Sequence, residues 1–344
     1  MTTKILICDD SRMARKQLVR SLPEDWDVEI LQAENGEIAL GVIIEQRPAL
    51  MFLDLNMPIM DGYQTLQSIL ERSLTITVVV VSGDIQPAAQ EKVLSLGALD
   101  FIKKPISTEL LVETLTKSGV YQRSADVISR TIPIVDNSEA ISLDDEHAFI
   151  DACQEVANVA MGRAGDLLAR FLDAFVELPI PKVNHIELSE LNMALQFADQ
   201  EQTVSAVCQG FIGPGIAGEA LVLFNDSSFS SIAKLLKYEG EINDSIELEL
   251  LMDVANIIVG ACLQGISDQL ILPLNQGHPL VLGQHVKVPD LIQKNIKRWK
   301  KALSVEINYK IESQSINCDL LLLFTEESIE PLKKRLSYLV NKDE

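Results

Sequence analysis

The first 121 residues alternate short apolar runs with amphipathic stretches, and this alternation is the strongest constraint on what the chain folds into. Strand-like runs fall at Lys4–Cys8, Val28–Ala33, Leu50–Leu53, Thr77–Val81 and Phe101–Lys103. After them, Ser11–Leu22, Gly36–Gln46, Gly62–Arg72, Pro87–Leu96 and Thr108–Ser118 carry apolar residues at helical spacing. A run such as Val78–Val81 suits a strand buried on both faces, as in a parallel sheet. Five such strand–helix units predict a doubly wound α/β domain with a five-stranded parallel sheet.

A sheet of this kind binds ligands just beyond the carboxyl ends of its strands. Polar residues gather there. Asp9 and Asp10 close the first run, Asp54 the third, Ser82 the fourth, and Lys104 with Pro105 the fifth. Carboxylates packed together repel one another and call for a cation, and hard oxygen ligands with open positions suit Mg²⁺. A lysine and a hydroxyl opposite them suit an incoming phosphoryl group. Asp54 is then the nucleophile that becomes an aspartyl phosphate, with the metal offsetting charge on the transferring oxygens.

The segments CDDS (Cys8–Ser11), FLDLNMPIMDG (Phe52–Gly62), VVVVSG (Val78–Gly83) and DFIKKP (Asp100–Pro105) resemble a response-regulator receiver domain of the CheY type, with a flavodoxin-like fold. The resemblance implies strand order 2-1-3-4-5 and Asp54 as phosphoacceptor. It further implies metal binding by Asp9, Asp10, Asp54 and the Asn56 backbone carbonyl. Ser82 and Lys104 would contact the phosphoryl group, and Phe101 would change rotamer with it. Asn56 and Asp84 fall where the family tunes its own dephosphorylation.

The periodic pattern breaks down after Gly119, and a boundary is expected there: a receiver domain over 1–121, a linker over 122–141 and a second domain over 142–344. In the second domain, the helical stretch Asp151–Gly162 places Asp151, Glu155 and Asn158 on one face of an otherwise apolar helix. The stripe returns as Glu249, Asp253 and Asn256, the last two 98 residues beyond Glu155 and Asn158, with Val-Ala-Asn identical. Each copy later carries a very apolar strand, Glu219–Phe224 or Cys318–Phe324, and then an amphipathic helix. Copies are expected over 142–240 and 241–344, as a duplicated α/β unit with a pseudo-two-fold axis and strands in one shared sheet.

This half resembles the CheC/CheX/FliY family of chemotaxis phosphatases, whose helices carry an acid, then Glu-x-x-Asn, then a downstream proline. Asp151, Glu155 and Asn158 follow the pattern, with Pro179 or Pro181 beyond. The second copy departs from it: Asp253 replaces Glu, Glu249 leads, and Pro273 comes early. Hydrolysis of an acyl phosphate chiefly needs a water held in line with phosphorus, which a carboxamide does by accepting and donating at once. Asn158 and Asn256 are the candidate carboxamides, and Glu155 and Asp253 the acids one turn before them. Such an acid can pair with the lysine of a bound receiver, the equivalent of Lys104, and fix register.

A net charge of −21 argues against a nucleic-acid partner, since phosphate backbones are bound through clustered Lys and Arg. The basic run Lys294–Lys301 is an exception and reads best as a solvated face. Five widely spaced cysteines with no C-x-x-C pair suggest neither a zinc site nor a disulfide framework. With no signal peptide and no apolar stretch of the ~18 residues a membrane helix needs, a cytoplasmic protein is expected. The expected partners are a sensor histidine kinase and a phosphorylated CheY-like receiver. Both a monomer and a homodimer are compatible with the sequence. Two further outputs fit the same residues: a phosphorylation-gated adaptor of the flagellar-switch type, and a switch that dephosphorylates its own Asp54.

Overall fold

Alternating side-chain directions sort the apolar residues of the first five strands onto two faces of one sheet. These strands are β1 (Thr3–Cys8), β2 (Val28–Ala33), β3 (Leu50–Leu53), β4 (Thr77–Ser82) and β5 (Asp100–Lys103) in a computed structural model of the chain. It describes residues 2–121, 143, 145–186, 203–287, 290, 291, 302–311 and 316–340. The strands pair in parallel in the order β2-β1-β3-β4-β5. Between them run α1 (Arg12–Ser21), α2 (Gly36–Gln46), α3 (Gly62–Glu71) and α4 (Pro87–Ser95), with α5 (Thr108–Lys117) after β5. Ile5, Ile7, Phe52, Val79 and Val81 pack with Leu18, Leu111 and Leu115 on one face. Leu6, Cys8, Leu53 and Val80 pack with Leu40, Leu66 and Val93 on the other. Each fully buried side chain of this kind contributes about 1.5–3 kcal/mol of transfer free energy.

Helix starts are fixed by side-chain caps. Ser11, Asn35 and Ser107 accept from backbone N–H groups of α1, α2 and α5, and Asp61 forms a reciprocal capping box with Gln64 at the start of α3. The next residue must be glycine: a Cβ at Gly62 lies 2.3 Å from the Asp54 carbonyl oxygen and 2.8 Å from the Leu55 Cα. The loop that follows β3 folds back against its own strand end, and Gly62 permits that approach.

The chain next enters α6 (Glu146–Leu172), 27 residues long. Two compact units divide the chain, built mainly on Met1–Glu155 and Val156–Leu339, so the first turns of α6 count with the first unit. The boundary expected from composition, over 122–141, lies outside the described residues, as does Lys294–Lys301.

The second unit contains β6 (Lys182–Ile186), β7 (Thr203–Gly213), β8 (Ile216–Asn225), α7 (Phe229–Leu235) and α8 (Asp244–Leu270). They are followed by β9 (Asn275–Gln276), β10 (Leu280–Lys287), β11 (Ala302–Ile311), β12 (Ile316–Thr325) and α9 (Ile329–Val340). The sheet runs β10-β7-β8-β12-β11-β6, with β9 also on β7. Every pairing in it is antiparallel, which corrects the expectation of an α/β unit in this half. The reason lies in the connections. β7 and β8 are joined by Pro214 and Gly215 alone, with Gly215 at φ 77°. Pro followed by Gly at positive φ is a type II turn, and so short a link can only reverse the chain. Among the residues of this unit, α6 and α8 cross closely. A Cβ on Gly265 lies 2.7 Å from the Ala160 Cα, and Gln269 Nε2 donates to the Val156 carbonyl at 3.0 Å. All five cysteines are buried thiols outside any disulfide. Among the described residues no helix is long and apolar enough to cross a membrane.

Candidate functional site

Because β1, β3 and β5 are parallel, the residues just past their ends arrive on one edge of the sheet, and Lys104 gathers them. Its Nζ lies 2.8 Å from Asp9 Oδ2, 3.2 Å from Asp54 Oδ1 and 3.1 Å from Glu155 Oε1. Lys104, Asp54 and Glu155 are all buried, with Glu155 only 5% exposed. A buried ammonium persists only when paired, and here it donates to Asp9 with the Asp54 and Glu155 carboxylates at 3.2 and 3.1 Å.

The other oxygens of this cluster are held by backbone. Asp9 Oδ1 accepts from Ser11 N–H at 2.9 Å and Asp54 Oδ2 from Asn56 N–H at 2.9 Å. Asp54 Oδ1 makes no hydrogen bond. Asp54 therefore has one oxygen anchored and one directed at Lys104. Ser82 is fully buried on the neighbouring strand, and its Oγ accepts from Asp84 N–H at 3.1 Å. Asp84 Oδ1 in turn accepts from Gln86 N–H and Nε2, each at 3.1 Å. Phe101 is buried in the core cluster with Leu53 and Val80.

The cluster carries more negative than positive charge. Burial disfavours the Lys104 ammonium, but Asp54, Asp9 and Glu155 outweigh it and hold the lysine charged well beyond its usual range. Burial pushes the Asp54 carboxyl up; Lys104 opposes this, and Asp9, Glu155 and Asp10 add to it. Asp10 rises to about 7 through burial and the neighbouring Asp9. Glu155 rises to about 7 through burial, against the pull of Lys104. One lysine does not satisfy four carboxyl groups.

Two residues that the sequence did not single out complete the frame. Arg15, buried on α1, donates from one guanidinium nitrogen to the Asp9 carbonyl at 2.7 Å and the Asp10 carbonyl at 3.1 Å. Its other nitrogens reach Gln32 at 3.1 Å and Glu34 at 3.3 Å. An arginine beside Met13 and Ala14 in α1 gives no sequence signal for this role. The second is Gly62, described above. Asp151, the leading acid of the α6 stripe, accepts from Met13 N–H at 3.1 Å, where the start of α1 favours an anion.

The structure thus brings Asp9, Asp10, Asp54, Lys104 and Glu155 together. Asn158, three residues along α6, is buried, whereas Asp253, Asn256 and the leading Glu249 are exposed on α8.

An aspartate, a lysine and a hydroxyl meet at the edge of a 2-1-3-4-5 parallel sheet, the place where a doubly wound domain binds its ligand. Residues 5–116 match the response regulator receiver domain family, and the first domain of this chain is such a receiver. The chain is 41% identical over 105 residues to protein-glutamate methylesterase/protein-glutamine glutaminase 2 of Koribacter versatilis, covering 30% of this chain and 29% of that protein. It is 34% identical over 147 residues to the protein-glutamate methylesterase/protein-glutamine glutaminase of Bacillus subtilis, covering 38% of this chain and 41% of that protein. The chain therefore spans well under half the length of these relatives. Among solved structures, the response regulator domain of Thermotoga maritima CheB is 27% identical, with 36% of this chain and all of that chain covered and a TM-score of 0.32.

Proposed function

We propose that this chain is a response regulator phosphorylated at Asp54, and that its α6 hydrolyses receiver aspartyl phosphates in chemotaxis or a related two-component signal. The observation that carries the reading is the 3.1 Å pair between Glu155 and a receiver lysine, Lys104. A helix acid that recognises receivers needs such a partner. Asn158, one turn on, would hold the attacking water, accepting from it with the amide oxygen and donating with the NH₂. A loose phosphoryl transition state asks for positioning more than for a strong base. The methylesterase named for the relatives is not adopted, because the matched lengths leave most of those chains unaccounted for.

Further support comes from the pairing of β8 with β12. It is antiparallel around Leu221↔Leu321, residues separated by the same 100 positions as Phe224 and Phe324. A two-fold axis between equivalent strands gives that register, in keeping with a duplicated domain of the CheC type.

The residues fit a hard divalent cation such as Mg²⁺. The buried Asp54 Oδ1 has no hydrogen bond, and the surrounding carboxyl groups exceed the local positive charge. Among the described residues no group of three or more Asp, Glu, His or Cys side chains is already arranged to hold a metal ion. Mg²⁺ commonly takes one or two carboxylates directly and keeps several waters, so the remaining acids would hold it through water. Asp9, Asp10, Asp54 and the Asn56 carbonyl would hold it, and when bound it would offset charge on the transferring oxygens. Asp54 attacks, Lys104 meets the developing phosphoryl charge, and Asn56 N–H keeps the second carboxylate oxygen in place. A histidine kinase would be the phosphodonor.

A second reading is favoured by the same contact: Lys104 belongs to this chain, so its own Asp54 is a substrate. The full chain is phosphorylated with acetyl phosphate and Mg²⁺, freed of donor, and followed for phosphate release alone and with a separate phosphorylated receiver. Release that Asn158→Ala slows supports hydrolysis by α6, and a rate constant independent of protein concentration assigns it to the chain's own Asp54. Release unchanged in the Asn158→Ala/Asn256→Ala double variant, on both substrates, ends the phosphatase reading.

A further inference from the structure

Two contacts place α6 beside the phosphoacceptor before any phosphate is present, on the lysine that Asp54 also faces. Glu155 Oε1 sits on the Lys104 ammonium at 3.1 Å, Asp151 Oδ2 on Met13 N–H at 3.1 Å, and Asp54 Oδ1 faces the same ammonium at 3.2 Å. A phosphoryl group on Asp54 Oδ1 needs the space and the lysine that the Glu155 carboxylate now shares. It also brings two negative charges next to that carboxylate, in a buried setting where like charges repel strongly. We propose that Glu155 is a resident competitor for the phosphoryl position, so that the first turns of α6 gate phosphorylation of Asp54 and must yield Lys104 before the phosphoryl group can settle there.

The gate needs only that Asp54 accept phosphate, and it stands whether or not α6 hydrolyses anything. In the gated step, Asp54 Oδ1 forms a bond to the phosphorus of an acyl phosphate. The bond from phosphorus to the acyl oxygen breaks with its electron pair, and a carboxylate leaves. Glu155 gives up its share of Lys104 to the new phosphoryl oxygens. Asp151 adds a second hold at the start of α1, so removing either acid favours the open arrangement.

The test follows the rate of phosphate gain by the full-length chain from acetyl phosphate and Mg²⁺ in Glu155→Gln, Asp151→Asn and the parent. If the open arrangement is about 10% populated, Glu155→Gln gains phosphate roughly tenfold faster, because the apparent rate scales with the competent fraction. Asp151→Asn shifts it in the same direction. Amide exchange over residues 146–155 of the parent rises on phosphorylation. Gain at the parental rate in both variants, each folded by circular dichroism, overturns the gate, as does exchange over 146–155 that ignores phosphorylation. Loss of phosphate is timed separately. A higher steady level in Glu155→Gln that comes wholly from slower loss removes the gate and leaves the phosphatase reading in place, while Asn158→Ala altering loss but not gain keeps the two apart.

Discussion

The α6 and α8 helices carry nearly the same stripe, and the structure puts the two stripes in opposite surroundings. Glu155 and Asn158 are buried, with Glu155 against Lys104, whereas Asp253 and Asn256 lie open on α8. Val-Ala-Asn is identical in both. The difference is therefore set by what each face meets and by one methylene in the acid. A glutamate reaches a buried ammonium and shares it; an aspartate on an open helix face keeps its water. A short motif carries chemistry only together with the partner that covers it.

The largest test removes the reason for the comparison. Asp54→Asn takes away the carboxylate proposed to accept phosphate opposite Lys104, so incorporation from a labelled acyl phosphate should fall to background. Incorporation that survives would move the phosphoacceptor elsewhere and detach α6 from it.

Next in size is the pair of amide variants. Asn158→Ala should slow loss of phosphate from Asp54 by roughly 10²–10⁴-fold, the usual worth of a positioned catalytic group. Asn256→Ala should change it by less than about twofold. The order reverses if a separate phosphorylated receiver is the better substrate and docks on the open α8 face. Measuring both variants on both substrates sharpens the contrast between the helices.

Stability should separate the helices as well. Lys104→Met leaves several buried carboxyl groups without their ammonium, and loss of one partner in a buried pair costs about 3–5 kcal/mol. Asp253→Ala removes an exposed charge and should fall within about 0.5 kcal/mol of the parent. Urea unfolding of each variant reads this directly, and equal midpoints would mean that the Lys104 cluster is not stabilising.

The receiver half was legible because its chemistry is local to strand ends. Asp9, Asp54, Ser82 and Lys104 each follow an apolar run, and a parallel sheet must bring such ends to one edge. Arg15 and Gly62 were not legible, since a buried guanidinium on carbonyls and a forbidden Cβ are three-dimensional facts. In the second half the repeat of the stripe was visible, but the α/β unit expected there is an antiparallel sheet, and Pro214-Gly215 carried the signal for its hairpin. Burial of one stripe and exposure of the other left no trace in either sequence window. Side chains three residues apart look alike until something packs on them.

The smallest expected effect concerns how α8 begins. His285 Nδ1 lies 3.0 Å from Asp226 and its Nε2 3.2 Å from Glu247, with Asp244 at 3.9 Å, so an imidazolium on β10 faces the first turn of α8 and the turn after β8. The hydrogen bond to Asp226 raises the His285 pKa; burial opposes it, and the charges of Asp226, Glu247 and Asp244 add to the rise. A histidine whose folded value lies above its unfolded one stabilises the fold fully below about 6.5. That contribution is lost as pH rises through the higher folded value. Since the imidazole is partly exposed, solvent screens the pairs and the effect is modest. Amide exchange at the start of α8 should quicken as pH climbs through this window, after correction for the intrinsic rate, and His285→Gln should flatten the response. The first turns of α6 are held at Lys104 and at Met13 N–H and not by His285, so His285→Gln should leave their exchange unchanged. If both helix starts loosen together in His285→Gln, the two stripes are held by a common device and the contrast between them dissolves.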